Sequence, residues 1–429
     1  MSFSQADTKN IVSRVVWRLM PFLLLLYFMA QLDRVNVSFA AVTMNTDLKL
    51  SATAYGWGAS IFFVSYVLLE IPSNLILERV GARLWIARIM FTWGLLAVGM
   101  AFIRGPLSYF SVRFLLGAAE AGFFPGVILY MTYWFPHNYR ARVMSILALA
   151  TPLSTAAGAV IAAPLLAMHG LLGFAGWQWL FLIEGLPCVV LAGITLLYLP
   201  DRPAEAGWLA PDERRWLSEE VSTGPSRAGV DVHGSFAESL RDPRVLLLTG
   251  ISLCRVTCLY GVTFFLPQVV GTIGGSMTTT ALLSAIPYMV GALGMLVLAY
   301  TSDRMQERRW HVFFTFILMA AGLSASAILG KSSWAIVALS IATLGNTAMP
   351  VCFWPIPSLF LTGAAAAGGI ALINAVGNVG GIIGPYAVGV LKDMTGGFAA
   401  GLHFLAGVAL LGAILTVFIQ VKPVNRTNA

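Results

Sequence analysis

The sequence predicts an all-α membrane protein, with twelve transmembrane helices arranged as two six-helix halves. Three observations carry that prediction. Of its 429 residues, 58% are hydrophobic and only 10% charged, for a mean hydropathy of +0.81. A soluble domain has no use for that much apolar surface, whereas repeated spans of about 20 apolar residues do. Twelve such spans can be marked along the chain, and one long polar segment, 200–243, divides them six and six.

In order, the spans are 16–40, 54–77, 85–104, 108–134, 143–168, 175–199, 244–270, 278–301, 312–330, 334–360, 367–391 and 398–420, parted by short polar or Pro/Gly breaks. Short connections force antiparallel neighbours, so the expected domains are 1–199, a cytoplasmic loop 200–243, and 244–429. The first span runs on into Asp33 and Arg34 without a small-x-small cleavage site. It reads as a retained helix, not a signal peptide.

Orientation follows from the loop cations. With the N-terminus inside, Lys9, Arg14, Arg18, Arg79, Arg83, Arg88, Arg140, Arg142, Arg202, Arg214, Arg215, Arg227, Arg241, Arg244, Arg304, Arg308, Arg309, Lys422 and Arg426 fall on the cytoplasmic side. Lys49, Arg104, Lys331 and Lys392 fall outside. Both termini are therefore expected to be cytoplasmic. The net charge of +7 and the pI near 9.4 express this asymmetry, so no nucleic-acid partner is expected. Cys188, Cys254, Cys258 and Cys352 all sit in apolar stretches and are expected to be free thiols, with no metal site.

The chain is organised around Arg113 to Pro125, R-F-L-L-G-A-A-E-A-G-F-F-P. Arg113 and Glu120 lie two turns apart and return to one helical face. Charges at membrane depth are expensive and line a pathway or pair with one another. Gly117 and Gly122 allow other backbone to approach that face. The halves also echo each other: N-L-I-L-E-R-V-G-A-R (Asn74 to Arg83) follows the second span and A-Y-T-S-D-R-M-Q-E-R (Ala299 to Arg308) the eighth. Parallel six-helix repeats place a substrate near the midplane.

Both loops resemble the major facilitator signature G-x-L-A-D-R-x-G-R-R, with Asn74 and Glu78 departing from Gly and Asp, and Gln306 standing where glycine is usual. Several stretches resemble the anion:cation symporter family within that superfamily, which includes carriers of tartrate, phthalate, hydroxyphenylacetate and sugar acids. They are L-D-R-V-N (Leu32 to Asn36), E-I-P-S-N (Glu70 to Asn74), R-F-L-L-G-A-A-E-A-G-F-F-P-G, W-Q-W-L-F-L-I-E-G-L-P (Trp177 to Pro187) and A-L-I-N-A-V-G-N-V-G-G (Ala371 to Gly381).

The resemblance implies proton-coupled uptake of a small organic anion, through a site formed by Asp33, Arg34, Arg113 and Glu120. Residue chemistry agrees. A guanidinium fits a carboxylate with two parallel donors and keeps its charge in the membrane. A nearby carboxyl group can change protonation. Glu120 is expected to neutralise a neighbouring arginine, most simply Arg113, and to release it to the substrate on protonation. Asp33 is the second proton candidate. The proton is the coupling ion, and no cofactor is expected.

Further substrate contacts are expected from Tyr66, Arg255, Trp354 and the i, i+4 pair Asn374 and Asn378. Arg255, near the middle of the seventh span, favours a dicarboxylate such as tartrate. Glu78, Arg79, Arg83, Asp303 and Arg304 are expected to make inner-side contacts that stabilise one conformational state. Glu70 is expected to pair with loop arginines, Glu184 to be structural, and His403 to be a packed residue. The G-K-S at Gly330 to Ser332 is not a phosphate loop, because Ala325 stands where its earlier glycine belongs.

The leading reading is a monomeric importer in the bacterial inner membrane. An exporter of a drug or metabolite on the same fold is the alternative. An enzyme is not expected, since H-E-x-x-H and G-x-S-x-G are absent from the sequence.

Overall fold

The computed structural model describes residues 4–148, 150–223, 241–305, 307–361 and 363–419, and within them the chain is helical wherever it is apolar. Arg227, Gln306, Lys422 and Arg426 lie outside the described residues. Eleven helices among those described are long and apolar enough to cross a membrane, and Leu153–Ala167 is a shorter apolar helix. Two compact units result, one of Met1–Leu50 with Ile61–Val230, the other of Ser51–Ser60 with Asp231–Ala429.

The first unit contains α1 (Gln5–Asp47), most of α2 (Ala52–Val80), α3 (Ala82–Gly99), α4 (Pro106–Glu120), α5 (Phe123–Trp134), α6 (His137–Ala148), α7 (Ala150–Ala167), α8 (Gly176–Tyr198) and the polar helix α9 (Pro211–Thr223). Here α3 packs along α8, and α1 lies against both α7 and α8. Glycines permit the closest approaches. A Cβ on Gly185 would lie 2.9 Å from the Val98 amide of α3, and one on Gly117 would lie 2.1 Å from the Phe62 carbonyl of α2.

The fourth expected span, 108–134, is broken. α4 stops at Glu120, Ala121 is extended and Gly122 takes a left-handed turn at φ 85° before α5 begins. Pro125 explains the stop. Its nitrogen carries no hydrogen, so the Ala121 carbonyl cannot receive the helical bond from that residue. The Ser73 hydroxyl donates to that carbonyl instead, at 2.6 Å, and accepts from the Trp85 indole at 3.0 Å. The charged end of α4 is thereby fastened to α2 and α3.

The second unit contains α10 (Pro243–Gly271), α11 (Met277–Met305), α12 (Arg309–Leu329), α13 (Trp334–Phe353), α14 (Gly363–Asn378), α15 (Gly380–Thr395) and α16 (Ala399–Val417). α13 packs on α11 and α12, and α10 on α14 and α15. The expected eleventh span, 367–391, is likewise two helices that meet just after Asn378. Asp393 of α15 caps α2: its Oδ1 accepts from the Ala52 amide at 3.0 Å and its Oδ2 from the Thr53 amide at 2.7 Å. A carboxylate at the positive end of a helix is stabilising. All four cysteines are free and buried, as their apolar settings suggest.

Gly117→Ala is expected to force α4 off α2 and lower stability by about 1–3 kcal/mol, seen as a fall in melting temperature of the detergent-purified protein. Gly193→Ala is the control, since a Cβ there meets nothing within 4 Å, and it should leave the melting temperature unchanged or raised.

Candidate functional site

Consecutive residues on a helix point about 100° apart, and Asp33 and Arg34 of α1 accordingly enter different surroundings. Arg34 turns toward α4, where its Nε donates to Glu120 Oε1 at 2.6 Å; Glu120 is wholly buried and Arg34 17% exposed. The guanidinium lies over the Tyr66 ring, 5.0 Å from its centroid, and 5.9 Å from that of Phe62. Arg113, also buried, holds its guanidinium 4.7 Å from the Phe62 centroid. Two cations thus sit against one aromatic pair on α2, with Phe62 and Tyr66 stacked at 6.1 Å. Such contacts strengthen where water is excluded.

This arrangement changes one expectation. The direct bond to Glu120 comes from Arg34, where Arg113 was the simpler expectation. Glu120 Oε2 has no hydrogen-bond partner, leaving one lone-pair face of a buried carboxyl open to a proton.

Asp33 turns the other way, toward α3. Its Oδ2 accepts from the Trp93 indole at 2.7 Å and its Oδ1 from the Asn36 amide at 3.1 Å. Arg113 and Arg34 act on it electrostatically. The four residues that the sequence groups are therefore brought together as two linked clusters, Arg34–Glu120 and Arg113 beside Phe62 and Tyr66, and Asp33 with Trp93 and Asn36. Phe62 carries a signal in the sequence, since it precedes Tyr66 by one turn on an otherwise apolar helix. Trp93 carries only a weak one, an indole N–H within a span and in need of an acceptor.

The remaining residues divide by unit. Glu70, one turn beyond Tyr66, has Arg34 as its charged neighbour, not a loop arginine. Arg83 pairs with Asp201 at 3.3 Å, and its amide also donates to that carboxylate. Glu78 and Arg79 are exposed. Asp303 is bound by Arg308, while Arg304 reaches the Tyr300 hydroxyl at 3.4 Å. Of the expected inner-side set of Glu78, Arg79, Arg83, Asp303 and Arg304, Arg83 is joined to Asp201, beyond the end of α8, and Asp303 to Arg308; Asp201 and Arg308 are partners that sequence reading misses.

In the second unit Arg255 is half-buried on α10, and its electrostatic neighbours are Tyr260 and Cys258. Asn374 and Asn378 are half-buried on α14, the latter at the helix end, and Trp354 packs edge-on against Phe353. His403 is exposed on α16, against the expectation of a packed residue.

A model of the Major Facilitator Superfamily matches residues 23–385. The chain belongs to the Major Facilitator Superfamily. It is similar to a protein named "Putative tartrate transporter" from Agrobacterium vitis, 45% identical over 96% of this chain and 91% of that one. It is also similar to a quinolone resistance transporter from Acinetobacter baumannii, 41% identical over 96% of each chain. Among solved structures, a bacterial homolog to the human lysosomal transporter Spinster superposes with a TM-score of 0.76, covering 93% of this chain and 95% of that one. At 15% identity that likeness concerns the fold alone. Major facilitator proteins are transporters and not enzymes, so this chain is an integral, multi-pass membrane protein that moves a small molecule.

Removing one member of a buried ion pair strands the other. Arg34→Ala is expected to lower the stability of the purified protein by about 3–5 kcal/mol. Adding Glu120→Gln should restore most of that loss, and a double-mutant cycle followed by thermal unfolding in detergent checks it.

Proposed function

We propose that this major facilitator protein is a proton-coupled symporter that imports a small organic anion by alternating access. The observation that carries the reading is the buried Arg34–Glu120 pair with Arg113 against the same aromatic face. A guanidinium already satisfied by an internal carboxylate has little to offer an external one. When Glu120 takes a proton, Arg34 is released, and a substrate carboxylate replaces the lost negative charge. The loaded and empty carriers then hold the same net charge, which favours movement through a low-dielectric barrier. Asp33 is the second proton group, poised near both arginines. Tyr66 frames the anion, and Asn374, Asn378 and Trp354 are proposed to contact the rest of the substrate.

A carboxylate is favoured by the relative named for tartrate transport. Arg255 extends this to dicarboxylates, since its electrostatic neighbours among the described residues, Tyr260 and Cys258, are not carboxylates. The setting we propose is the bacterial inner membrane, with both termini cytoplasmic and the protein acting as a monomer. A second reading, export of a drug or metabolite, is favoured by the 41% identity to a quinolone resistance transporter.

Glu120→Gln in proteoliposomes is expected to retain substrate exchange while losing accumulation driven by a proton gradient. Normal gradient-driven uptake in this variant overturns the coupling role, and substrate-induced proton movement in the opposite sense selects the exporter. Matched dicarboxylates should compete with substrate at least ten-fold better than monocarboxylates, and Arg255→Gln should remove that difference. Equal competition in the native protein counts against the role of Arg255.

A further inference from the structure

One buried acid has no place in this scheme. Glu184 of α8 is 3% exposed, and neither carboxyl oxygen has a hydrogen-bond partner. No arginine, lysine or histidine lies within ion-pair distance of it among the described residues. The groups that act on it are Asp33 and Asn36 of α1. The seam is tight: Gly185, the next residue, meets α3 backbone, and Cys188 one turn on donates to the Glu184 carbonyl. An ionised carboxylate with no cation beside it, and only the shared Asn36 amide as a polar neighbour, is far costlier to bury than its neutral acid.

Asp33 next to it is built differently. Both of its oxygens accept hydrogen bonds, from Trp93 and Asn36, and such donors favour the charged form. Asn36 has its amide nitrogen on Asp33, which leaves its carbonyl oxygen as an acceptor for an acid O–H.

We propose that Glu184 is a further proton-binding site of this transporter, an acid that holds its proton through the neutral range while Asp33 is ionised and yields it more readily when Asp33 is neutral. The inference rests on proton coupling for its use in transport and adds a third acid to the two already assigned. Two buried carboxyl groups beside one amide do not both ionise near neutral pH, and the second ionises only in the alkaline range, so they titrate as a pair. The other elements do not break that pairing. α3 presents Trp93, with Arg83 and Arg88 nearer its start; α4 contributes Arg113 and Glu120, which act on Asp33 and Cys188 respectively. α7 has no titratable side chain.

The consequence is directional. At alkaline pH Glu184 loses its proton beside an ionised Asp33, and exchange of substrate falls. The test is infrared difference spectroscopy of the full-length protein in lipid across a pH series, read with substrate counterflow in proteoliposomes. A protonated-carboxyl band should titrate with the alkaline loss of exchange, be absent from Glu184→Gln, and titrate at least one pH unit lower in Asp33→Asn, where the neighbouring charge is gone. Glu184→Gln should also keep exchanging at the higher pH. A band that survives in Glu184→Gln overturns the assignment, and a titration unmoved by Asp33→Asn overturns the sharing. The Asp33→Asn arm keeps Glu184 native, so the sharing remains testable if Glu184→Gln does not fold. Proton-driven accumulation by the native protein is read separately: its absence removes the coupling reading and leaves the Glu184 titration to stand or fall on the spectra.

Discussion

The arrangement of the first unit depends on one constraint: a charge placed where water is scarce must be met by an opposite charge, by hydrogen-bond donors, or by a proton. Its buried acids meet it differently. Glu120 has a guanidinium, Asp33 has an indole and an amide, and among the described residues Glu184 has no cation, only the Asn36 amide as a polar neighbour. In bulk water these differences would matter little. In the interior of a helical bundle they decide how costly each carboxyl group is to hold ionised.

The helix break after Glu120 serves this constraint. A continuous helix through residues 106–134 would leave the Ala121 carbonyl without its helical donor. Pro125 removes one helical bond, Gly122 accepts the left-handed turn, and Ser73 repairs the freed carbonyl. Broken helices inside membrane proteins are tolerated only where the exposed backbone finds such partners. The aromatic pair Phe62 and Tyr66 supplies a face against which both guanidinium groups rest, that of Arg34 also bonded to Glu120.

Much of this is legible in the order of residues alone. Arg113 and Glu120 share a face because seven residues make two turns, and both are buried as that spacing requires. The two glycines between and beyond them mark close helix contacts, and they do meet α2. What misleads is proximity in sequence. Asp33 and Arg34 are neighbours in the chain and invite being read as one unit, yet a helix sends adjacent side chains to different partners. The loop acids and arginines show the limit of a motif: the repeat of Glu78-Arg79 and Asp303-Arg304 marks the loops, but does not name Asp201 and Arg308 as the partners of Arg83 and Asp303.

Composition and hydropathy by themselves determined that this chain lives in a bilayer as a bundle of helices, because apolar length and the obligation to satisfy backbone groups leave no other architecture. Charge within the spans determined which residues are candidates for function. Only the tertiary structure decided which arginine holds Glu120, which donors hold Asp33, and that Glu184 stands beside it unbonded. Those outcomes depend on helix rotation and on the few ångströms at which side chains from distant segments meet, and one-dimensional spacing has no record of either.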